Sequence, residues 1–290
     1  MRNLIDINSN DNTLFVTGQC NNHCLMCCQP PTTKDDVDFL FEQNVELIKN
    51  APKNLPIIGI SGGEPTLLGE RFFELISIIR QYLPDTTIYI LSNGRQFVDE
   101  YYAEKLKTIG GNNLSLGVPI HCDSSLIHDG ITNVKNSFNE TIIGLYNLAA
   151  HGIPIELRIV INKLNYRRLG QLSDFIFKNL AFVNCVSLMA MEFIGFAEKN
   201  TQQVWIEPIE YMPNIAEATL NLHSWGIDVS IFNVPLCLLP EELHTFARKS
   251  ISDWKNSYID VCRKCIRRED CCGLFSTSKR NFKGLQAFEI

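Results

Sequence analysis

Between residues 13 and 192 short apolar, β-favouring runs alternate with longer runs whose apolar positions recur every three to four residues. Thr13–Thr17, Pro56–Ile60, Thr87–Leu91, Leu114–Ile120, Ile155–Ile161 and Cys185–Glu192 read as strands. Asp36–Asn50, Glu70–Leu83, Val98–Ile109, Asn139–His151 and Tyr166–Leu180 read as helices. In the second of these, Phe72, Phe73, Leu75, Ile76, Ile79 and Leu83 share one face. Gly152 and Pro154 stop the fourth. About six such strand–helix units predict a parallel sheet with right-handed crossovers. The class is α/β, and the pattern fits an open doubly wound sheet or a barrel equally. The polar, chemistry-bearing residues cluster just after the carboxyl ends of the strands, the face on which such folds assemble sites.

Past residue 200 the pattern changes. Pro208–Gly226 reads as a helix and Ile227–Asn233 as a strand, but 234–290 is rich in cysteine and charge and poor in aliphatic residues. Such a segment lacks the apolar area for its own core, and metal cross-linking is the usual remedy. The expected organisation is a large α/β domain over 1–200 and a Cys-rich region over 201–290. A net charge of −6 argues against wholesale binding of nucleic acid or an anionic membrane. No signal-peptide core opens the chain and no apolar run is long enough to span a bilayer, so a cytoplasmic location is expected.

In a reducing compartment the 11 cysteines are better read as metal ligands than as disulfide partners. They form two groups. Cys20-Asn-Asn-His-Cys24-Leu-Met-Cys27 follows the first strand, with Cys28 beside it. Cys237, Cys262, Cys265, Cys271 and Cys272 lie in the tail, and Cys122 and Cys185 stand apart. Three thiolates at spacings of four and three residues can hold a small cluster and leave one metal position open for a ligand. The alternative is a structural zinc with His23 as the fourth ligand, although adjacent His23 and Cys24 would strain a tetrahedral site.

Other loops add candidates. Ser61-Gly62-Gly63-Glu64-Pro65-Thr66 follows the second strand. Its glycines permit close backbone approach, and Glu64 can accept from an ammonium. Ser92-Asn93-Gly94 follows the third. Arg158, inside an apolar strand, either pairs with a ligand carboxylate or faces outward, and Asn162 ends that strand. His121-Cys122-Asp123 and His128-Asp129 are expected in a solvated loop.

Cys20-x3-Cys24-x2-Cys27 with Gly62-Gly63-Glu64-Pro65 one strand–helix unit later resembles the radical S-adenosylmethionine (SAM) superfamily over roughly residues 13–195. The resemblance implies a partial (β/α)6 barrel. It also implies a 4Fe–4S cluster on Cys20, Cys24 and Cys27 and reductive cleavage of SAM to a 5′-deoxyadenosyl radical that takes hydrogen from a substrate. Gly62, Gly63 and Glu64 would meet the SAM amino group, with Ser92 and Asn93 near its ribose or methionine portion. Arg158 would meet the SAM carboxylate. Met26 stands where the family usually has an aromatic residue and would pack on adenine. Pro119-Ile120-His121 departs from the Ser-x-Asp often found after the fourth strand.

The Cys262-x2-Cys265-x5-Cys271 spacing resembles the SPASM and twitch auxiliary-cluster domains. Phe275 stands where full SPASM has a further cysteine. One auxiliary 4Fe–4S cluster on Cys237, Cys262, Cys265 and Cys271 is therefore implied, with Cys272 an alternative to Cys271 and zinc an alternative metal. Ser250–Tyr258 and Asn184–Phe196 are also similar to the radical SAM peptide maturases of the His-Xaa-Ser system.

The implied substrate is a ribosomally made peptide undergoing crosslinking or dehydrogenation. The implied partner is a flavodoxin- or ferredoxin-type reductant; and since about a dozen residues before the first strand are too few for a leader-binding fold, either a partner maturase presents the peptide or the barrel mouth binds it directly. Two rivals remain: a radical SAM enzyme acting on a small molecule such as a nucleotide or sugar, and a non-catalytic Fe–S or zinc protein.

Overall fold

A computed structural model of the chain describes residues 5–9, 12–250, 252–278 and 280–289. Residues 1–4, read above for a targeting signal, and Ile251 in the tail lie outside the described residues. Eight strands follow one another in chain order in a sheet: β1 (Thr13–Phe15), β2 (Ile57–Ser61), β3 (Thr87–Leu91), β4 (Leu114–Pro119), β5 (Ile155–Ile161), β6 (Cys185–Ala190), β7 (Asp228–Phe232) and β8 (Ala247–Arg248). The helices are α1 (Val37–Lys49), α2 (Glu70–Tyr82), α3 (Glu100–Gly110), α4 (Ser125–Thr132), α5 (Ser137–Ala150), α6 (Leu169–Asn179), α7 (Phe196–Lys199), α8 (Thr201–Val204) and α9 (Pro208–Ser224). The expected α/β parallel architecture is the observed one. β8 is two residues long, too short for a sequence pattern, and was not expected.

The chain divides into two compact units. One comprises residues 1–23, 30–119 and 134–156, the other 24–29, 120–133 and 157–290. In the first unit β1 to β4 pair in parallel, with Thr13 opposite Gly59, Ile57 opposite Thr87 and Ile88 opposite Leu114. Ile58, Ile60, Ile88, Ile90 and Leu116 are fully buried on this sheet. Phe72, Leu75, Ile76 and Ile79 of α2 and Leu106 of α3 are buried as well, as their periodicity requires. Arg80 donates from Nε to Gly110 O (2.6 Å), and from its terminal nitrogens to Thr86 O (2.7 Å) and Asn113 O (2.6 Å). One guanidinium thus ties together carbonyls at the end of α3 and in its neighbouring loops.

In the second unit β6, β7 and β8 are parallel, with Cys185 opposite Asp228 and Ile231 opposite Ala247. Pro208 opens α9 behind a reciprocal Glu207–Glu210 capping box. Phe177 of α6 stacks on Trp225 just past α9, with ring centroids 4.6 Å apart. Beyond β8 the tail consists of single 3-10 turns and one two-residue antiparallel pair, β9 (Asn256–Ser257) with β10 (Leu274–Phe275).

The segment after β4 departs from the solvated loop expected there. Residues 125–132 form α4, whose Ile131 is fully buried, and His121, Cys122 and His128 are buried too. The apolar spacing Ile127/Ile131 is one helical repeat, too short to separate from a loop by periodicity alone.

Candidate functional site

In the first unit the chain leaving β1 is tied down before it reaches Cys20. Thr17 Oγ1 donates to Asp36 Oδ1 (2.9 Å) and Gly18 N to Asp36 Oδ2 (3.0 Å). The Gly62-Gly63 turn runs against this segment. Gly63 N donates to Thr17 O (2.7 Å) and Glu64 N to Gln19 O (2.8 Å). A Cβ on Gly63 would stand 2.0 Å from Gln19 O, and one on Gly62 2.5 Å from Thr17 O. Both glycines are therefore demanded by the approach of the cysteine loop itself.

Glu64 is fully buried. Its Oε1 accepts from Thr66 N (3.0 Å), Thr66 Oγ1 (2.6 Å) and Ser92 Oγ (2.8 Å), and its Oε2 from Asn93 N (2.6 Å). Burial pushes the carboxyl pKa up, and these donors pull it back. Four donors thus match the roughly four acceptor sites a carboxylate offers, and the buried Glu64 side chain is engaged in holding the turns after β2 and β3.

Asn93 continues the network. Its Nδ2 donates to Asn21 Oδ1 (2.6 Å), inside the cysteine loop. Arg95, absent from the sequence candidates, donates to Asn21 O (2.8 Å) and Asn22 Oδ1 (2.8 Å) and is held by Glu140 Oε2 (2.6 Å). Its partners lie 73 and 74 residues upstream, so only its place two residues after Asn93 hinted at a role. Cys20 Sγ accepts from Asn22 N (3.3 Å), while burial pushes its thiol upward, so a thiolate here calls for a counter-charge.

The second unit holds Cys24 and Cys27. Leu25 N donates to Ile131 O (2.9 Å), Cys27 N to Cys24 O (3.0 Å) and Phe196 N to Cys27 O (2.8 Å). Asn200 Nδ2 donates to Leu25 O (2.9 Å). Met26 is only 6% exposed and packs with Ile131, Met191, Phe193, Ala197 and Val204, so its thioether anchors the loop in an apolar cluster. Arg158 is half-buried, on the face of β5 opposite the fully buried Leu157 and Ile159. Asn162 is wholly buried, its Oδ1 accepting from Leu164 N (2.9 Å).

After β4, His121 N donates to His128 Nδ1 (3.2 Å) and Asn165 Nδ2 to His121 O (3.0 Å). Among the described residues His121 Nδ1 is buried with no hydrogen-bond partner, and burial holds the ring far below its usual pKa, hence neutral. Asp123 forms a bidentate pair with Arg168.

The four auxiliary candidates Cys237, Cys262, Cys265 and Cys271 come together around one small cavity. Leu236 N and Gly273 N each lie 3.4 Å from Cys271 Sγ, and Phe288 N lies 3.4 Å from Cys265 Sγ. Tyr258 OH donates to Cys271 O (2.8 Å). Cys272, the alternative ligand, does not line the cavity; it is buried with its thiol on Gly273 O (3.3 Å). The neighbouring Cys272 thiol and the Gly273 and Leu236 N–H groups lower the Cys271 pKa to about 6, while that of Cys272 is raised. Among the described residues no three His, Cys, Asp or Glu side chains converge as they would on one bare ion.

A family model of the Radical SAM superfamily matches residues 14–176, more than half of the chain, and the chain belongs to that superfamily. Membership implies an enzyme that uses a 4Fe–4S cluster and SAM. Fe-coproporphyrin III synthase of Methanosarcina barkeri is 25% identical over 238 residues, covering 76% of this chain and 54% of that protein. Streptococcus suis SuiB bound to precursor peptide SuiA shares the fold at a TM-score of 0.58 and 13% identity, over 76% of this chain and 48% of that one. Native anSMEcpe with bound AdoMet and Cp18Cys peptide does so at 0.56 and 20%, over 76% and 62%. The chain thus spans about half the length of the first two. Among the described residues no helix is long and apolar enough to cross a membrane.

Proposed function

We propose that this protein is a radical SAM oxidoreductase that modifies a ribosomally synthesised peptide and carries one auxiliary cluster in a SPASM/twitch-like tail. Cys20, Cys24 and Cys27 would ligate the first 4Fe–4S cluster, and Cys237, Cys262, Cys265 and Cys271 the second. Loaded with that cluster and SAM, the site would supply radical chemistry that takes a hydrogen atom from the substrate.

The protein's own residues position these groups. The backbone of Gly62, Gly63 and Glu64 would meet the SAM ammonium, with the buried Glu64 side chain holding that turn in place. Ser92 and Asn93 are oriented by the same carboxylate, and Arg158 would pair with the SAM carboxylate. Met26 would serve adenine through the packing of the loop it anchors. Asn93 and Arg95 fix Asn21 and Asn22, and so keep Cys20 at one place on its loop. A flavodoxin- or ferredoxin-type protein would supply the electron, and a partner maturase would present the peptide.

The observation that carries the auxiliary cluster is four cysteines from separate stretches of the tail around a single cavity. The peptide substrate is supported by the two peptide-bound structures that share the fold. A small-molecule substrate is the second reading, favoured by the likeness to Fe-coproporphyrin III synthase.

The test is anaerobic reconstitution followed by iron and sulfide analysis and a 5′-deoxyadenosine assay under dithionite. The wild type should hold about eight irons and form the nucleoside. Cys24→Ala should abolish its formation. Cys265→Ala should lose about half the iron yet keep SAM cleavage within about twofold, since the closed site is not where SAM binds. Equal cleavage by both variants would reject the ligand assignment, and a pull-down with precursor peptide against small metabolites separates the two substrates.

A further inference from the structure

Arg280 is a cation without an anion: among the described residues no carboxylate pairs with it. Its guanidinium carbon instead lies over two rings, 4.6 Å from the centre of Trp205 and 5.4 Å from that of Phe193. These rings meet edge to face, 4.8 Å apart. The carboxylates nearest to them in sequence are engaged elsewhere. Glu192 accepts from Lys255 Nζ at Oε2 (2.9 Å) and from Thr277 Oγ1 at Oε1. Glu207 accepts from the Trp205 indole at Oε1 (3.2 Å) and from Lys283 N at Oε2 (3.1 Å). The N–H groups of a guanidinium lie in its plane, so aromatic contact with its face leaves that edge open. Arg280 therefore presents a held, half-buried fork of donors. Phe193 and Trp205 also pack in the apolar cluster that contains Met26 of the cysteine loop. Trp205 lines a small recess with Ile161 and Met191, at the carboxyl ends of β5 and β6.

We propose that Arg280 is a substrate-recognition residue that grips a carboxylate of the peptide, either an acidic side chain or the chain terminus. The proposal rests on the peptide-modifying function proposed above. The donor set selects the class of ligand, because a planar fork matches the two oxygens of one carboxylate. The flanking rings hold the fork in place, so little side-chain entropy is lost when the anion arrives. A freshly made ribosomal peptide carries carboxylates and no phosphate, so the anion is a carboxylate. That of SAM is assigned to Arg158, which leaves the substrate as its source. The competing explanation is that Arg280 only pins the tail. The tail is already tied to this region by Lys255 and Thr277 on Glu192 and by Lys283 on Glu207, and none of these bonds needs Arg280.

The test uses the full reconstituted chain and blocked pentapeptides: N-acetyl-Gly-Ala-Glu-Ala-Gly-amide, its Gln analogue, and that Gln analogue with a free carboxyl terminus. Affinities are read from saturation-transfer NMR titrations of each peptide. At least one carboxylate-bearing peptide should bind about tenfold tighter than the neutral one, and which of them does so identifies the source of the anion. Arg280→Gln should remove that advantage and leave the neutral peptide within about twofold. Arg280→Lys, which keeps the charge without the fork, should retain no more than about a third of it. Arg167→Gln, at an exposed arginine over Tyr166, should shift each affinity by less than about twofold. Iron content of the Arg280 variants should equal that of the wild type. Equal weakening of all three peptides by Arg280→Gln is the signature of a structural role and overturns the proposal. Weaker SAM binding with peptide affinities unchanged overturns it too. Normal 5′-deoxyadenosine formation by a wild type with no carboxylate preference refutes the role of Arg280 alone. Arg280-dependent binding of glutarate, with none of any peptide, refutes the peptide reading as well.

Discussion

The two cysteine groups are held by opposite means. Up to Cys20 the first lies on backbone already fixed by other bonds: the Asp36 carboxylate, the Gly62-Gly63 turn, and the Asn93 and Arg95 side chains reaching Asn21 and Asn22. The second hangs on single 3-10 turns and a two-residue strand pair, with a modest set of buried apolar side chains, Leu236, Leu243, Leu274 and Phe275 among them. A loop placed by a sheet keeps its shape without metal, whereas a tail with little core takes its shape from what its thiolates bind. The first arrangement suits a site that must admit and release a ligand, and the second suits a permanently filled cage.

This contrast breaks most visibly on metal removal. Chelation of the reconstituted protein should raise the rate of proteolytic cutting within residues 237–289 at least roughly tenfold, with far-UV circular dichroism nearly unchanged. Cleavage mapped by mass spectrometry to residues 17–28 at the same rate would erase the distinction. Gly63→Ala should act on the first group alone. Its methyl would sit 2.0 Å from Gln19 O, so backbone must move, at a cost of about 3 kcal/mol in urea unfolding. Iron uptake at the tail should persist. The smallest effect belongs to Tyr258→Phe, which deletes one hydrogen bond to Cys271 O. About 1 kcal/mol should be lost in the metal-free protein and less in the loaded one, where ligation holds Cys271 independently. An equal loss in both forms would mean that ordinary packing holds the tail.

Much of the frame was legible beforehand because it depends on local pattern. β3 and β5 fall on the residues expected, Thr87–Leu91 and Ile155–Ile161, since β-branched runs between breakers leave little choice. α9 was readable despite Pro213 in its interior, because Pro208 and the Glu207–Glu210 box fix its start. The gathering of the tail cysteines around one cavity also agrees with a spacing read from sequence.

What escaped depends on partners far along the chain. Arg95 looks like any surface arginine until Asn21 and Glu140 are brought to it. Lys255 meets Glu192 across 63 residues (2.9 Å). The burial of His121 and His128 could not be foreseen either, because α4 is one repeat too short to announce itself. Glu64 is a mixed case. Its importance was visible, but its occupation by Thr66, Ser92 and Asn93 was not.

That carboxylate has an implication for anyone rebuilding this protein. Because one buried anion binds the turns after β2 and β3, and Asn93 relays the grip to Asn21, the three segments are a single transplantable cassette. A graft of residues 17–22 alone into another parallel-sheet scaffold would arrive without its mould. A graft that also brings 61–66 and 92–95 would carry its own.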